Sequence, residues 1–191
     1  MLAFCGASAF ALNYAEINVN DKDLEFSGKL DMGQIIDSVA PDTVFVGLRY
    51  LDGHAKHSGD ENAKVKSYVD LNFLMQRALS NSGLTIGLGL KFNKTELGKQ
   101  NFSSLPLGIE ASYKIPTTQF IPMYIGGTIY HAPSVLSFED AEKFLEYRVN
   151  FDLEVIQNGR ITVGYRSLDT NYKLGDFNYN KSIYAGFKFG F

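Results

Sequence analysis

The stretch Lys181-Ser-Ile-Tyr-Ala-Gly-Phe-Lys-Phe-Gly-Phe191 alternates without interruption. Successive side chains of a β-strand point to opposite sides, so Ile183, Ala185, Phe187, Phe189 and Phe191 share one face and Ser182, Tyr184, Gly186, Lys188 and Gly190 the other. The pattern predicts a strand with one oily side. In a soluble domain an apolar row that runs out on a bare aromatic gains little, because chain ends fray there.

The same period of two recurs up the chain, at 14–19, 24–32, 43–51, 65–76, 84–92, 105–114, 121–131, 145–156 and 161–167, with 181–191 closing the series. Ten strands are expected, or eight if the first hairpin does not form, and no helix is needed. Phased on their apolar residues, the strands carry Glu16, Glu25, Lys29, Asp31, Arg49, Lys66, Asp70, Lys91, Glu110, Lys114, Glu146, Arg148, Asp152, Glu154, Arg166 and Lys188 on the opposite face. No charge interrupts an oily row. A Lys or Arg facing lipid near the bilayer midplane costs about 2–4 kcal/mol, which is reason enough for such segregation.

Segregation alone does not say which face is inside, since a soluble lipocalin-like, ligand-binding barrel buries the oily row instead. Gly47, Gly87, Gly89, Gly108, Gly126, Gly164, Gly186 and Gly190 share the charged face, whereas Gly28 and Gly127 lie in the oily rows. Glycine weakens an exposed strand for no return, but inside a narrow barrel it makes room for large neighbours. The charged face is therefore read as the lumen. The expected architecture is all-β: a closed antiparallel transmembrane β-barrel of meander topology. Connections support it, because the tight turns at 81–83, 116–118 and 157–159 alternate with long polar stretches at 52–64, 93–104, 132–144 and 168–180. The short 20–23 turn and the longer 33–41 link are the exceptions.

Length and composition agree with one barrel domain over 12–191. The 191 residues are 45% hydrophobic and 14% aromatic, enough for an extensive lipid-facing surface. A net charge of −3 with scattered Lys and Arg argues against nucleic acid as a partner. No run of about twenty apolar residues exists, which excludes a spanning helix but not a barrel. Residues 1–11 are apolar, rich in small residues and end Ala9-Phe10-Ala11, as the remnant of a signal peptide would. Cys5, the single cysteine, falls inside that segment, so the remainder has no thiol for a disulfide or a metal.

In bacterial outer-membrane barrels the final strand ends on Phe with apolar residues at alternate positions, and the barrel assembly machinery reads it; Phe187, Phe189 and Phe191 resemble that signal. At Ala132-Pro-Ser-Val-Leu-Ser-Phe138, then Glu146-Tyr147-Arg148, Gly164-Tyr165-Arg166 and Tyr184-Ala-Gly-Phe-Lys-Phe-Gly-Phe191, the chain resembles the YfaZ-type outer-membrane protein family. The resemblance runs from about Asp23 to the end. It implies a porin-like barrel in the cell outer membrane, with membrane lipid and the assembly machinery as partners, and it supplies no catalytic residues.

The chemistry expected is therefore that of a lumen. Arg49, Glu110, Glu146, Arg148, Asp152, Glu154, Arg166 and Lys188 form a charge network that either selects what passes or plugs the barrel by pairing, and pairing is favoured because an unpaired charge in a narrow lumen keeps its desolvation cost. Arg148 and Arg166 are expected to reach Glu146, Asp152, Glu154 and Glu110. Tyr50, Phe92, Tyr113, Tyr147 and Tyr165 suit interfacial girdles. His54 and His57 with Asp52, Asp60 and Glu61 lie in a polar loop without the rigid scaffold a metal site needs. His131, Ser134 and Glu146 near one rim have the composition of an acyl hydrolase, but they are spaced by a flexible loop and no oxyanion-hole glycine run accompanies them. The expectation is a structural or narrow-pore barrel with no cofactor, no metal and no enzymatic activity; a lipid-modifying enzyme is the alternative. The oligomeric state is not legible.

Overall fold

A strand with lipid on one side must satisfy its backbone through its neighbours, and only a closed ring leaves no edge. The computed structural model describes residues 13–21, 23–53, 67–79, 82–97, 100–116, 121–173 and 175–191 and shows such a ring. Its strands are β1 (Tyr14–Val19), β2 (Asp23–Asp31), β3 (Val44–Gly53), β4 (Tyr68–Ala78), β5 (Leu84–Leu97), β7 (Leu107–Ile115), β8 (Met123–Ala132), β10 (Ala141–Ile156), β11 (Gly159–Tyr172) and β12 (Gly175–Gly190). Each pairs antiparallel with the next, and β12 closes on β1 with Phe187 opposite Ile17 and Lys188 opposite Glu16. This is the ten-strand meander expected. Two short strands, β6 (Gln100–Ser104) and β9 (Ser137–Glu139), stand outside the ring, β6 on the upper part of β5 and β9 on β6.

The wall is inside out relative to a soluble barrel. Leu48, Leu71, Leu88, Ile109, Ile129, Val149, Val163 and Ile183 all point outward, with Leu88 67% and Ile183 72% exposed, while Glu25, Asp70, Glu146 and Arg166 are buried in the interior. The soluble lipocalin-like alternative has the opposite arrangement. Tyr50, Phe92, Tyr113 and Tyr165 are also outward, and the Tyr147 and Tyr165 rings pack 6.0 Å apart. Glycine placement follows from what lies inside. A Cβ on Gly89 or Gly108 would overlap the Tyr130 ring, and one on Gly164 would overlap Tyr184.

The structure departs from expectation above the oily belt. The segments 93–104, 132–144 and 168–180, read as long polar loops, instead prolong β5, β10, β11 and β12 and add β6 and β9. The physical reason is that the wall continues where both faces are polar, as in Asn93, Lys94, Thr95 and Glu96, so hydrophobic alternation has nothing to report. Asp31 also has a different task from the other interior acids. Its carboxylate accepts from the backbone N–H of Gly33 at 2.8 Å and of Asp42 at 2.6 Å, pinning both ends of the 33–41 link. Residues 1–11, read as a signal remnant, and most of the 52–64 stretch lie outside the described residues.

Because Leu88 sits mid-strand on the outward face, Leu88→Arg should cost about 2–4 kcal/mol of stability when the barrel is unfolded by denaturant from phospholipid vesicles. The check is the unfolding midpoint beside that of an Arg placed at Val135, in the exposed rim turn 134–136, where the loss should be small.

Candidate functional site: a charge-paired lumen capped at one end

The interior is organised by one awkward pairing. In the β10–β11 register Arg148 lies opposite Arg166, and both alternate inward, so two guanidinium groups stand side by side. Neither can leave for solvent. The acid that reconciles them is Glu25, which reaches across the lumen from β2 and is fully buried. Its Oε2 accepts from Arg148 at 2.7 Å and from Arg166 at 2.6 Å, and a third guanidinium, Arg49, lies 3.9 Å away.

From Arg49 the network passes on. Arg49 is ion-paired with Asp70 directly across the β3–β4 ladder, and its Nη1 and Nη2 donate to Glu146 at 2.5 and 2.9 Å. Glu146 also accepts from Lys91 at 2.8 Å, whose ammonium sits 3.7 Å over the Tyr130 ring. Arg166 is held further by Asn180 at 3.0 Å and by Asp23 at 3.7 Å. Towards the end of the barrel where β1 begins and β12 finishes, here the terminal end, the pairs are more exposed and most are longer. Lys29 meets Glu110 at 2.8 Å, Lys188 lies 3.4 Å from Glu16 and 3.5 Å from Asp152, and Arg160 lies 3.5 Å from Glu154.

All eight residues named from the sequence for the lumen, Arg49, Glu110, Glu146, Arg148, Asp152, Glu154, Arg166 and Lys188, face the interior, but their partners differ from those expected. Arg148 and Arg166 do not pair with Glu146, Asp152, Glu154 or Glu110; they pair with Glu25, Glu16 and Asp23. Adjacent strands bring like charges together here, so the complementary ones come from the far wall. Glu25, Asp70 and Lys91 were legible as interior charges but not as the hub and its links. The cue that finds Glu25 is register: once Arg148 and Arg166 are opposed, a carboxylate must come from elsewhere.

Above this network, at the long-loop end, the lumen is closed by an apolar cap that the sequence did not reveal. Leu51, Tyr68, Phe102, Phe144, Leu168, Tyr172 and Tyr179 are buried together, with Phe102 and Tyr172 edge to face at 5.2 Å and Tyr68 stacked on Phe144 at 6.2 Å. Most of these belong to segments read as loops. Below the network, space remains. One cavity of about 170 Å³ lies among Arg49, Asp70, Glu146 and Arg148, and another of about 400 Å³ reaches the terminal end beside Tyr14, Phe45 and Lys114.

The other sequence candidates are dispersed. His131 is outward, paired in register with Leu145 and Leu107, whereas Glu146, the next residue of β10, faces inward against Tyr130; with Ser134 exposed in the rim turn, the three do not converge. His54, His57, Asp60 and Glu61 lie outside the described residues, as does Cys5, and Asp52 accepts from Ser67. Phe187, Phe189 and Phe191 are on the outward face at the terminal end, the last two rings 6.5 Å apart.

No protein-family model matches the chain, and no curated protein matches it. Among solved structures it is similar to LpxR from Salmonella typhimurium, with 10% identity, a TM-score of 0.45, and coverage of 88% of this chain and 73% of that one. The expectation that the chain is not an enzyme is withdrawn. The ground for that expectation was that no oxyanion-hole glycine run accompanies His131, Ser134 and Glu146 in the sequence. Barrel closure brings residues together from distant strands, as Glu25 and Arg148 show, so that ground was insufficient.

Removing one partner of a buried ion pair leaves the other charge uncompensated, at a cost of about 3–5 kcal/mol. Glu25→Gln should therefore destabilise the barrel strongly, and Glu154→Gln, at the more exposed terminal end, much less. Denaturant midpoints in lipid vesicles give the comparison.

Proposed function

We propose that this is an outer-membrane β-barrel whose lumen is sealed against general diffusion, passing at most small solutes infrequently. The observation that carries the reading is the filled interior: the Tyr68–Phe102–Phe144–Tyr172 cap over the Glu25 and Glu146 charge clusters. Barrels of about eight strands hold side chains only, and water-filled pores need many more, so ten leave little to conduct through once these groups are in place. The outward apolar belt supports a membrane location, and the loop motif and Arg-bearing strands read as YfaZ-type support the outer membrane in particular. In planar bilayers the protein should show small, infrequent conductance. Arg148→Ala or Arg166→Ala should raise it and shift it towards cations, because each frees carboxylate charge. A large, steady conductance in the unmodified protein, unchanged by either substitution, defeats the proposal.

A second reading, a lipid-modifying enzyme in the same membrane, is favoured by one placement. His131 is an exposed, lipid-facing imidazole at the long-loop rim, flanked by Leu107 and Leu145, with the Ser134 hydroxyl exposed in the turn that follows. A base and a hydroxyl at that level would meet the ester groups of outer-leaflet lipid. Mass spectrometry of envelope lipids from cells producing the protein should then show a shortened acyl complement that His131→Asn abolishes. Identical lipid profiles with and without the protein remove this reading.

A further inference from the structure

The cavity of about 400 Å³ at the terminal end is unlike the rest of the lumen. Here the charged residues on the wall are Lys29, Lys114, Arg160 and Lys188 with the carboxylate of Glu16, while Asp152 and Glu154, which do not line the cavity, lie 3.5 Å from Lys188 and Arg160 respectively. Glu16 is already shared between Lys188 at 3.4 Å and Arg148 at 3.9 Å. Lys29 is engaged by Glu110. Lys114 has no ion pair among the described residues, and its ammonium stands 5.8 Å from the centre of the Tyr124 ring. Arg160 lies over the same ring at 3.8 Å, and Tyr124 is fixed by donating its hydroxyl proton to Glu154 at 2.9 Å. Two cations thus stand near one anchored aromatic ring. The inner wall beside them is apolar: Leu74 and Phe45, with Phe45 6.1 Å from the Tyr14 ring and tilted 45° to it. A cavity of this size, mostly apolar with a few convergent polar groups, has the dimensions of a small-ligand site.

We propose that this cavity binds a small carboxylate with an aromatic body, entering from the terminal end. Its carboxylate meets the Lys114 ammonium, and its ring packs against Tyr14, Phe45 and Leu74. The inference goes beyond the sealed-barrel reading and does not depend on it, since the site lies below the network that closes the lumen.

The test uses the whole protein in lipid nanodiscs with 4-fluorophenylacetate as probe, read by broadening of its fluorine resonance, beside the uncharged 4-fluorophenylacetamide. Broadening of the acid but not the amide is expected. Lys114→Gln should weaken it about fivefold, the loss of one charge-assisted contact, while Lys181→Gln, an exposed cation at the far end, should leave it unchanged. Both lysines are exposed, so neither change should prevent folding. No broadening, equal broadening of acid and amide, or an unaltered response in Lys114→Gln would each overturn the proposal. Full displacement of the probe by millimolar inorganic phosphate would overturn the aromatic part of it, because the site would then be reading charge alone. Conductance is not measured here, so failure of this site leaves the sealed-barrel reading to its own test.

Discussion

One carboxylate holds the interior together. Glu25 receives Arg148 and Arg166 and lies within ion-pair distance of Arg49, so a single side chain from β2 ties β3, β10 and β11 across the lumen. Hydrogen bonds already join each strand to its neighbours, but they act only around the ring. Glu25 acts through it. A buried ion pair is weak evidence for net stability, because desolvation offsets attraction, yet it is strong evidence for a unique arrangement once the alternative is two facing guanidinium groups with no acid between them.

The glycines and the tyrosines belong to the same constraint. Large interior side chains that reach across a ten-strand barrel need somewhere to lie, and Gly89, Gly108 and Gly164 provide it by leaving the wall bare beneath Tyr130 and Tyr184. Tyr130 in turn donates to Glu110 at 2.7 Å and offers its ring face to Lys91. Wall composition and charge pairing are therefore not separable: a β-carbon in the wrong place would push a ring into the ion network.

The sequence was most informative where lipid imposes a rule. Between about Leu84 and Phe92, or Leu145 and Val155, every second residue must be apolar, and strand, phase and inward face could all be read from that. The rule lapses once the wall leaves the belt. Thr95 and Asn101 carry no phase, so β6, β9 and the upper parts of β10, β11 and β12 went unseen, and with them the cap formed by Phe102, Tyr172 and Tyr179. Interior charges were legible as a set because exclusion from lipid is a one-residue property. Their partners were not, since pairing across a lumen depends on register and on which walls face each other. His131 shows the limit from the other side: its neighbour in register, Leu145, sets it outward and parts it from Glu146 by a single residue of phase.

The strands differ greatly in length: β1 has six residues, whereas β10 and β12 have sixteen each. At about 3.3 Å per residue the tall side of the wall rises more than twice as high as the short side. The barrel is thus a slanted cup. Its ring is fastened by a short zip where β1 meets β2 and β12, and by a long one where β10, β11 and β12 run side by side. Any load spread evenly around such a ring falls on fewer bonds at β1 than anywhere else, which makes the two six-pair seams of β1, with β2 and with β12, the places where the hoop is mechanically thinnest.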